Sequence, residues 1–521
     1  MLLYWQNPKN LYVVAMNENI PYPIPRSWEW TKLGDIAEIV RLQVNPQLKP
    51  KDKFNYLSIE NIESHSGELV NFAPTEGEKI KSAKIAFTTS DLLYSKLRPY
   101  LNKVHLPTFD GISATDLIPI RPLGGILREY VAYFMRTRLV VVYVNQRMRG
   151  IQLPRVPLDD LLKLPVPVAP IAEQRRIVDK VEKSFVQITS AKQALHRVPD
   201  VIKQFRQSAL GKAFRGELTE RDSNEEAAEA FLEGIRLEGR RNWEGNLRSR
   251  GKNPMKYKYE EPKHIETSGL ERLPEGWSWT TLGSVLEVIQ YGTSVKASAT
   301  PDKGVPILRM GNIQEGNLDL SNLKYMGPEE DIQKYQLKEG DILINRTNSP
   351  ELVGKCALFQ QEGKYVFASY LIRLRALKSV ASSEYLTYVI NSSIGRRHVD
   401  AVKHQVAGQS NINTQDIKSM PIPLAPLQEQ FKIAEKIRQM FSRVDEILEA
   451  VNVGLKKAEA LERAVLLKAF RAELLPQEPD DEPASVLLEK IRASRRTLRG
   501  TRGRPQTALE ITSHSRITPK A

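Results

Sequence analysis

The strongest constraint on this chain is that it is written twice. Pro25–Ile39, reading PRSWEWTKLGDIAEI, returns as PEGWSWTTLGSVLEV over Pro274–Val288, with Trp28 and Trp277 in register 249 residues apart. LPVPVAPIAEQRRI (Leu164–Ile177) returns as MPIPLAPLQEQFKI (Met420–Ile433), and KAFRGEL (Lys212–Leu218) as KAFRAEL (Lys468–Leu474), both 256 residues apart. Between these anchors, Leu57–Ile62 answers Leu308–Ile313, Asp91 answers Asp341, and Glu129-Tyr130 answers Glu384-Tyr385. The offset drifts through the front of each copy and is constant through the back. Each copy therefore has a front that accepts insertions and a back of fixed length.

The fronts carry short apolar runs (VPILRMGNI, GDILINRTN, FASYLIRLRAL) broken by Gly, Pro and Asn, which read as strands and turns. One helix is expected in each, from Glu129 to Val144 and from Glu384 to Gly395. The backs are helical. Alternate prolines (Pro165, Pro167; Pro421, Pro423) hold an extended lead-in, Pro170 or Pro426 suits a first helical turn, and Glu173 or Glu429 faces the positive end of the helix dipole. Ile433, Ile437, Met440, Val444, Ile447 and Val451 then alternate steps of four and three. Ile177, Val181, Ser184, Ile188, Ala191, Leu195 and Val198 occupy the same frame, extended by Ile202, Phe205 and Ala209. Such spacing predicts a coiled-coil seam in which two equal stripes bury each other, the alternative being a helix packed on its own domain. Val198-Pro199 is expected to kink the first helix. The fold class is α+β: two tandem globules, each followed by a long helix, the helices pairing antiparallel with pseudo-two-fold symmetry.

The expected organisation is an N-terminal extension over 1–20 and a first globule over 21–168 with a helical spacer over 169–222. A helix and linker follow over 223–268, then a second globule over 269–424, its spacer over 425–476, a short helix over 477–498 and a basic tail over 499–521. The tail, Arg-, Thr- and Gly-rich from about Arg495, is expected to be disordered. The residues before Met16 have no counterpart in the second copy and read as a flexible extension or a misplaced start.

Composition narrows the functional class. Lys and Arg exceed Asp and Glu by 14, which favours a polyanionic partner, although a basic tail on an ordinary protein gives a similar balance. The lone cysteine, Cys356, excludes a disulfide framework and a cysteine-rich zinc site, suits a reducing cytoplasm, and reads as a small buried hydrophobe. No apolar run is long enough to span a bilayer, so no membrane partner is expected, and the N-terminus lacks the features of a secretory signal.

Catalytic constellations are missing. There is no phosphate-binding loop, Val353-Gly354-Lys355-Cys356 lacking both the upstream glycine and the hydroxyl residue, and no dinucleotide fingerprint. The Asn/Asp-Pro-Pro-aromatic motif of amino-methyltransferases is absent, the seven histidines are scattered, and Pro301-Asp302-Lys303 reads as a plain turn. No catalytic residue and no metal ligand is assigned. What the fronts offer is amide, guanidinium and ammonium chemistry on loops, the groups that read base edges and hold phosphates. The second copy presents Tyr291, Thr293, Ser294 and Lys296; Arg309 and Asn312; Arg346, Thr347, Asn348 and Ser349; and Lys403, His404, Gln409, Ser410 and Asn411. The first presents Arg41, Gln43 and Asn45; Lys96, Arg98, Tyr100, Asn102 and Lys103; and Arg147, Arg149 and Gln152. For each of them a solvated loop is the competing role.

The repeated W-x-W-x-x-L-G (Trp28, Trp30, Leu33, Gly34; Trp277, Trp279, Leu282, Gly283), RMGNI with Arg309 and Asn312, DILINRTNS, ELVGKCALF, GQSNIN and PIPLAPLQEQFKI, in this order, resemble the specificity subunit (HsdS) of type I restriction-modification systems over residues 20–490. The resemblance implies two target recognition domains, each reading one half of a split site in double-stranded DNA. It implies partners as well: two methylation subunits (HsdM type) that bind S-adenosylmethionine, and restriction subunits (HsdR type) that use ATP and magnesium. No cofactor is expected on this chain, which would be a non-catalytic member of an adenine methyltransferase and endonuclease. The first copy departs from the pattern, with Gly150-Ile151-Gln152-Leu153-Pro154 in place of GQSNIN and only Lys96-Leu97-Arg98 in place of NRTNS. A helix of about 45 residues is on the order of 65 Å long, enough to act as a ruler between half-sites. The competing classes are a self-contained methyltransferase-nuclease and a helical scaffold that binds protein.

Overall fold

A computed structural model describes residues 22–220, 226–249, 252–257, 265, 269–295, 297, 304–314, 316–327, 332–406 and 408–500. The chain divides into two compact units, one formed by residues up to Leu195 together with those from Val453 onward, the other by His196–Asn452. Each unit contains one globule and parts of both long helices.

The Trp-x-Trp and Pro-x-Pro motifs, far apart in sequence, are partners. Glu29–Lys32 pairs antiparallel with Pro165–Val168, setting Trp30 opposite Pro167, and Ser278–Thr281 pairs with Pro421–Leu424, setting Trp279 opposite Pro423. Proline cannot donate to a ladder, so these are two-stranded clasps rather than interior strands. Beneath each clasp a polar lock repeats. The indole Nε1 of Trp28 donates to Glu173 Oε2 at 2.8 Å, and that of Trp277 to Glu429 Oε2 at 3.0 Å. Tyr130 Oη donates to the Pro167 carbonyl at 2.8 Å and Tyr385 Oη to that of Pro423 at 2.7 Å. Gln174 and Gln430, both buried, bond the backbone on either side of them: Gln174 to Leu127 and Ala169, Gln430 to Ser382, Val380 and Ala425. Buried polar groups are costly unless paired, and here each finds its partner across the junction of globule and helix.

Each globule is built on an antiparallel four-stranded sheet. In the first its order is Ala37–Ile39, Leu117–Pro122, Leu92–Ser95, Val104–His105; in the second it is Leu286–Tyr291, Leu371–Ala376, Ile342–Asn345, Cys356–Leu358. A buried aspartate braces each sheet, Asp91 accepting from Arg121 Nε and Asp341 from Arg375 Nε, both at 2.7 Å. A second, smaller sheet has four strands in the first globule (Gln43–Val44, Lys84–Phe87, Gly111–Ser113, Tyr56–Leu57) and three in the second (Lys324–Met326, Val305–Leu308, Val366–Phe367).

The single helix expected in each front is two. Arg128–Met135 is followed by Arg138–Asn145, and Ser383–Asn391 by Ser393–Val402. The break is a hydroxyl: Thr137 Oγ1 and Ser392 Oγ each bond the carbonyl three residues back, Phe134 or Val389, at 2.7 Å, and Ser392 Oγ also accepts the Ile394 amide. That bond turns the chain before it restarts as helix.

The long helices are Ile171–Ala213 (43 residues) and Leu427–Phe470 (44 residues), and Pro199 lies inside the first. In the first unit Ile177, Val181 and Ile188 share a core with Val465, Leu466, Ala469 and Phe470, Lys192 Nζ meets Glu462 at 2.8 Å, and Leu195 lies over Gly454. In the second, Ile433 and Ile437 share a core with Leu210, Ala213 and Phe214, with Met440 packed against it; Val444 and Val451 are buried, and Arg206 pairs with Asp445. Ile447, expected on the seam, is 49% exposed, as is Phe205 in large part. Around Ile447 the half-buried face widens to take in Phe441, edge-on to Tyr388 at 5.8 Å, and Leu448, while Met440, Val444 and Val451 keep the expected side.

A helix spans Ala228–Ser249, its first amide bonded to Gly276 O, and another spans Ala484–Gly500, its first amide bonded to Ser27 O, so both open against a Trp-bearing loop. The Arg-rich segment expected to be disordered from about Arg495 is helical to Gly500, with Arg495 Nη1 on the Gly34 carbonyl. The remainder of that tail, the extension over 1–20 and Pro301-Asp302-Lys303 lie outside the described residues. Cys356 is buried and its thiol is pushed well up by that burial. Among the described residues no helix is long and apolar enough to cross a membrane, and no group of His, Cys, Asp and Glu could hold a metal ion.

Candidate nucleic-acid interface

In the second globule the strand Ile342–Asn345 runs on into Thr347–Asn348, which pairs with Gln409–Asn411, which in turn pairs with His404–Val406. Two polar motifs separated in sequence thus become one small three-stranded sheet. Gly408, at φ 81°, serves the hairpin between its last two strands, a backbone region that glycine enters without strain. Thr347 Oγ1 donates to Asn411 Oδ1 at 2.6 Å, and Asn348 Oδ1 accepts the Ser349 amide at 2.8 Å. His404 and Gln409 are exposed, Ser349 is partly so, and Ser410 is fully buried. Lys403 Nζ lies 2.7 Å from Asp400, whose carboxyl is held far below its ordinary range, first by Arg396 and also by Lys403. Tyr291, at the end of its strand, lies under Arg346, the guanidinium 4.8 Å from the ring centre, and its hydroxyl accepts the Thr414 amide at 3.3 Å.

Other expected contact residues serve the fold instead. Asn312 is buried; it accepts the Arg309 amide at 2.9 Å and donates to Asp319 O at 2.8 Å, while Arg309 Nη2 donates to Asn322 O. Both hold their own turn rather than the three-stranded edge. Thr293 is buried and accepts the Val295 amide, whereas Ser294 is exposed; Lys296 lies outside the described residues.

The first globule forms the corresponding edge from single bridges, Leu97 pairing with Arg155 and Arg155 with Arg149. Asp116 accepts both Arg155 Nε (3.0 Å) and Nη2 (2.8 Å), with Lys96 Nζ at 3.5 Å, and its carboxyl is held low chiefly by the Arg155 hydrogen bonds. Arg98 is exposed at φ 48°, Tyr100 and Gln152 are exposed, and Ile151 projects completely into solvent with Leu153 half-exposed beside it. Arg147 stacks at 3.8 Å on Tyr143 but also donates to the Tyr143 carbonyl, and Arg149 reaches Asp160 at 3.4 Å. Asn102 is buried and donates to Arg136 O at 2.8 Å, and Lys103 Nζ donates to Ile59 O at 2.8 Å. These two pin loops and do not point to a ligand. Arg41, Gln43 and Asn45 are exposed at the edge of the smaller sheet, where Gln43 pairs with Ile85 and Asn45 caps a short turn at Gln47. Sequence reasoning missed Arg155, although Arg149 and Arg155 flanking Gly150–Pro154 is a hairpin pattern, and missed Ile151 altogether.

Residues 274–457 match the family model "Type I restriction modification DNA specificity domain". The chain is 26% identical to the type I restriction enzyme EcoKI specificity subunit of Escherichia coli K12 over 91% of its length and 96% of that protein's. It is 27% identical to the StySPI specificity subunit of Salmonella potsdam over the same shares. Among solved structures, one described as showing complex assembly and conformational transition of the type I R-M system has a TM-score of 0.65 at 22% identity, over 87% of this chain and all of that one. The HsdS subunit from Thermoanaerobacter tengcongensis has a TM-score of 0.53 at 22% identity, over 87% and 99%.

Proposed function

Since the chain belongs to the DNA specificity subunits of type I restriction-modification systems, we propose that its two globules read the two unlike halves of one asymmetric, gapped DNA target. One observation carries this reading. The same edge of two globules with the same polar locks gathers different sets of cationic and amide side chains: half-buried Arg346 and Asn348 with exposed His404 and Gln409 in one, exposed Arg98, Arg149 and Gln152 in the other. Shared scaffolding with unshared edges is what two half-sites of different sequence require.

In this proposal the long helices pair antiparallel along their length and fix the unread gap. Support comes from helix contacts inside each unit, Lys192 with Glu462 in one and Arg206 with Asp445 in the other, and from helices of near-equal length. The chain binds and positions and does no bond chemistry. Its helical faces dock two methylation subunits, which would hold S-adenosylmethionine, and restriction subunits, which would use ATP and magnesium, in the cytoplasm.

The test is to assemble the chain with its methylation partner and map the modified adenines. A two-part motif with a fixed gap is expected; an ungapped palindrome, or modification without sequence preference, overturns the reading. Duplex affinity of the assembly should also fall steeply with salt, the logarithmic slope approaching about −0.9 per phosphate neutralised.

A further inference from the structure

We infer that Arg346 reads a guanine in the half-site of the second globule, held in reading position by Tyr291; this rests on the function proposed above. The guanidinium lies 4.8 Å from the ring centre of Tyr291, whose own hydroxyl is tied to the Thr414 amide. Arg346 is only partly exposed, its Nε is buried without a partner, and among the described residues its guanidinium makes no hydrogen bond or ion pair. Ser410 Oγ, on the strand that pairs with Thr347–Asn348, is likewise buried and unpartnered. Two other arginines differ: Arg147, stacked on Tyr143, also bonds the Tyr143 carbonyl, and Arg155 at the first globule's edge is held by Asp116.

A planar fork of donors, fixed in direction and unspent within the protein, matches the N7 and O6 acceptors that guanine presents in the major groove. A phosphate contact does not need this bracing, since a mobile cation serves it equally. Stacking on Tyr291 immobilises the side chain before DNA arrives and lowers the entropy cost of making a bidentate contact. The first globule has Lys96 at the corresponding position, a single ammonium 3.5 Å from Asp116 rather than a planar fork, so guanine reading of this kind belongs to one half-site.

The test uses the chain assembled with its methylation partner on a DNA library randomised across both half-sites, with modified positions read by sequencing. Arg346→Ala should lose roughly 10- to 100-fold discrimination at one G·C pair of one half-site, leaving the other half-site as it was. Tyr291→Phe, which keeps the ring face, should retain that discrimination, and Tyr291→Ala should lose part of it at the same pair. Arg346→Gln, closer in length, should move the preference at that pair toward adenine. A uniform loss over all sequences, relaxation at an A·T pair, or an unchanged profile overturns the inference. If the unsubstituted assembly shows no two-part motif, the functional reading fails; if it shows one and no single G·C position relaxes, only the assignment of Arg346 fails.

Discussion

The two globules are alike where they meet their helices and unlike at the solvent-facing edge proposed to read DNA. Trp28 and Trp277 donate to Glu173 and Glu429, Tyr130 and Tyr385 to a clasp carbonyl, Gln174 and Gln430 each bond a loop amide and the alanine carbonyl five residues back, and Asp91 and Asp341 each brace a sheet through an arginine. At the edge, one copy has a three-stranded sheet with a stacked, unspent arginine, and the other has two bridges, a carboxylate-bound arginine and a bare isoleucine. The lesson is one of coupling. Groups buried together must be kept together, because an orphaned polar partner costs more than the pair contributes. Side chains at an edge that packs on little else can change one by one.

If the loops carry sequence and the helices carry spacing, the two must separate experimentally. Four residues, about one turn, inserted after Ala191 should abolish most modification at the parental motif and create a motif with the same halves and a different gap. Methylation mapping that finds the gap unchanged would break the division of labour. Next in size, Trp28→Ala and Trp277→Ala should each cost about 3–5 kcal/mol in denaturant unfolding, since each leaves a cavity and strands a buried glutamate. Unequal costs would show that the two locks are not equivalent. Arg375→Ala should cost about 3 kcal/mol, since it removes the two-pronged partner of buried Asp341 and leaves only Arg373 at 3.8 Å. Arg121→Ala should cost less, because Arg121 is 38% exposed against 18% for Arg375 and water can reach the carboxylate that remains. The smallest effect concerns pH. Burial raises the Glu173 carboxyl above its ordinary 4.5 against the lowering pull of Trp28 and Gln477. The folded state therefore holds this proton more tightly than the unfolded one, and stability falls as pH rises through the carboxylate range. Glu173→Gln should flatten that fall in thermal unfolding measured from acid to neutral pH.

Repetition and periodicity made the architecture legible, because phase survives even where residues change. The Pro-x-Pro stretch could be read as extended, but not that Trp30 lies opposite Pro167, since nothing local marks a strand's distant partner. Glu173 was legible as a dipole partner and not as the acceptor for Trp28. Of the apolar stripe read from the sequence, Ile433, Ile437, Val444 and Val451 are buried and Met440 packs on the core, whereas Ile447 faces solvent. At the proposed reading edge, residue type alone does not separate a base reader from a turn-holder. Asn102 and Asn312 carry the same amide group as exposed Gln409 and spend it on backbone carbonyls. What brings NRTNS and GQSNIN together is a strand pairing, Thr347 with Asn411, and only the fold reveals it.

The clasp of Trp-x-Trp on Pro-x-Pro has one more consequence. It gathers the entry and the exit of each globule at a single point on its helix, so everything between Leu33 and Leu164, or between Leu282 and Met420, is a closed excursion that leaves from and returns to adjacent backbone amides and carbonyls. Such an excursion is a natural cassette: a foreign one with the same two ends could be spliced in and would inherit the mooring, the angle and the helix phase of the one it replaced.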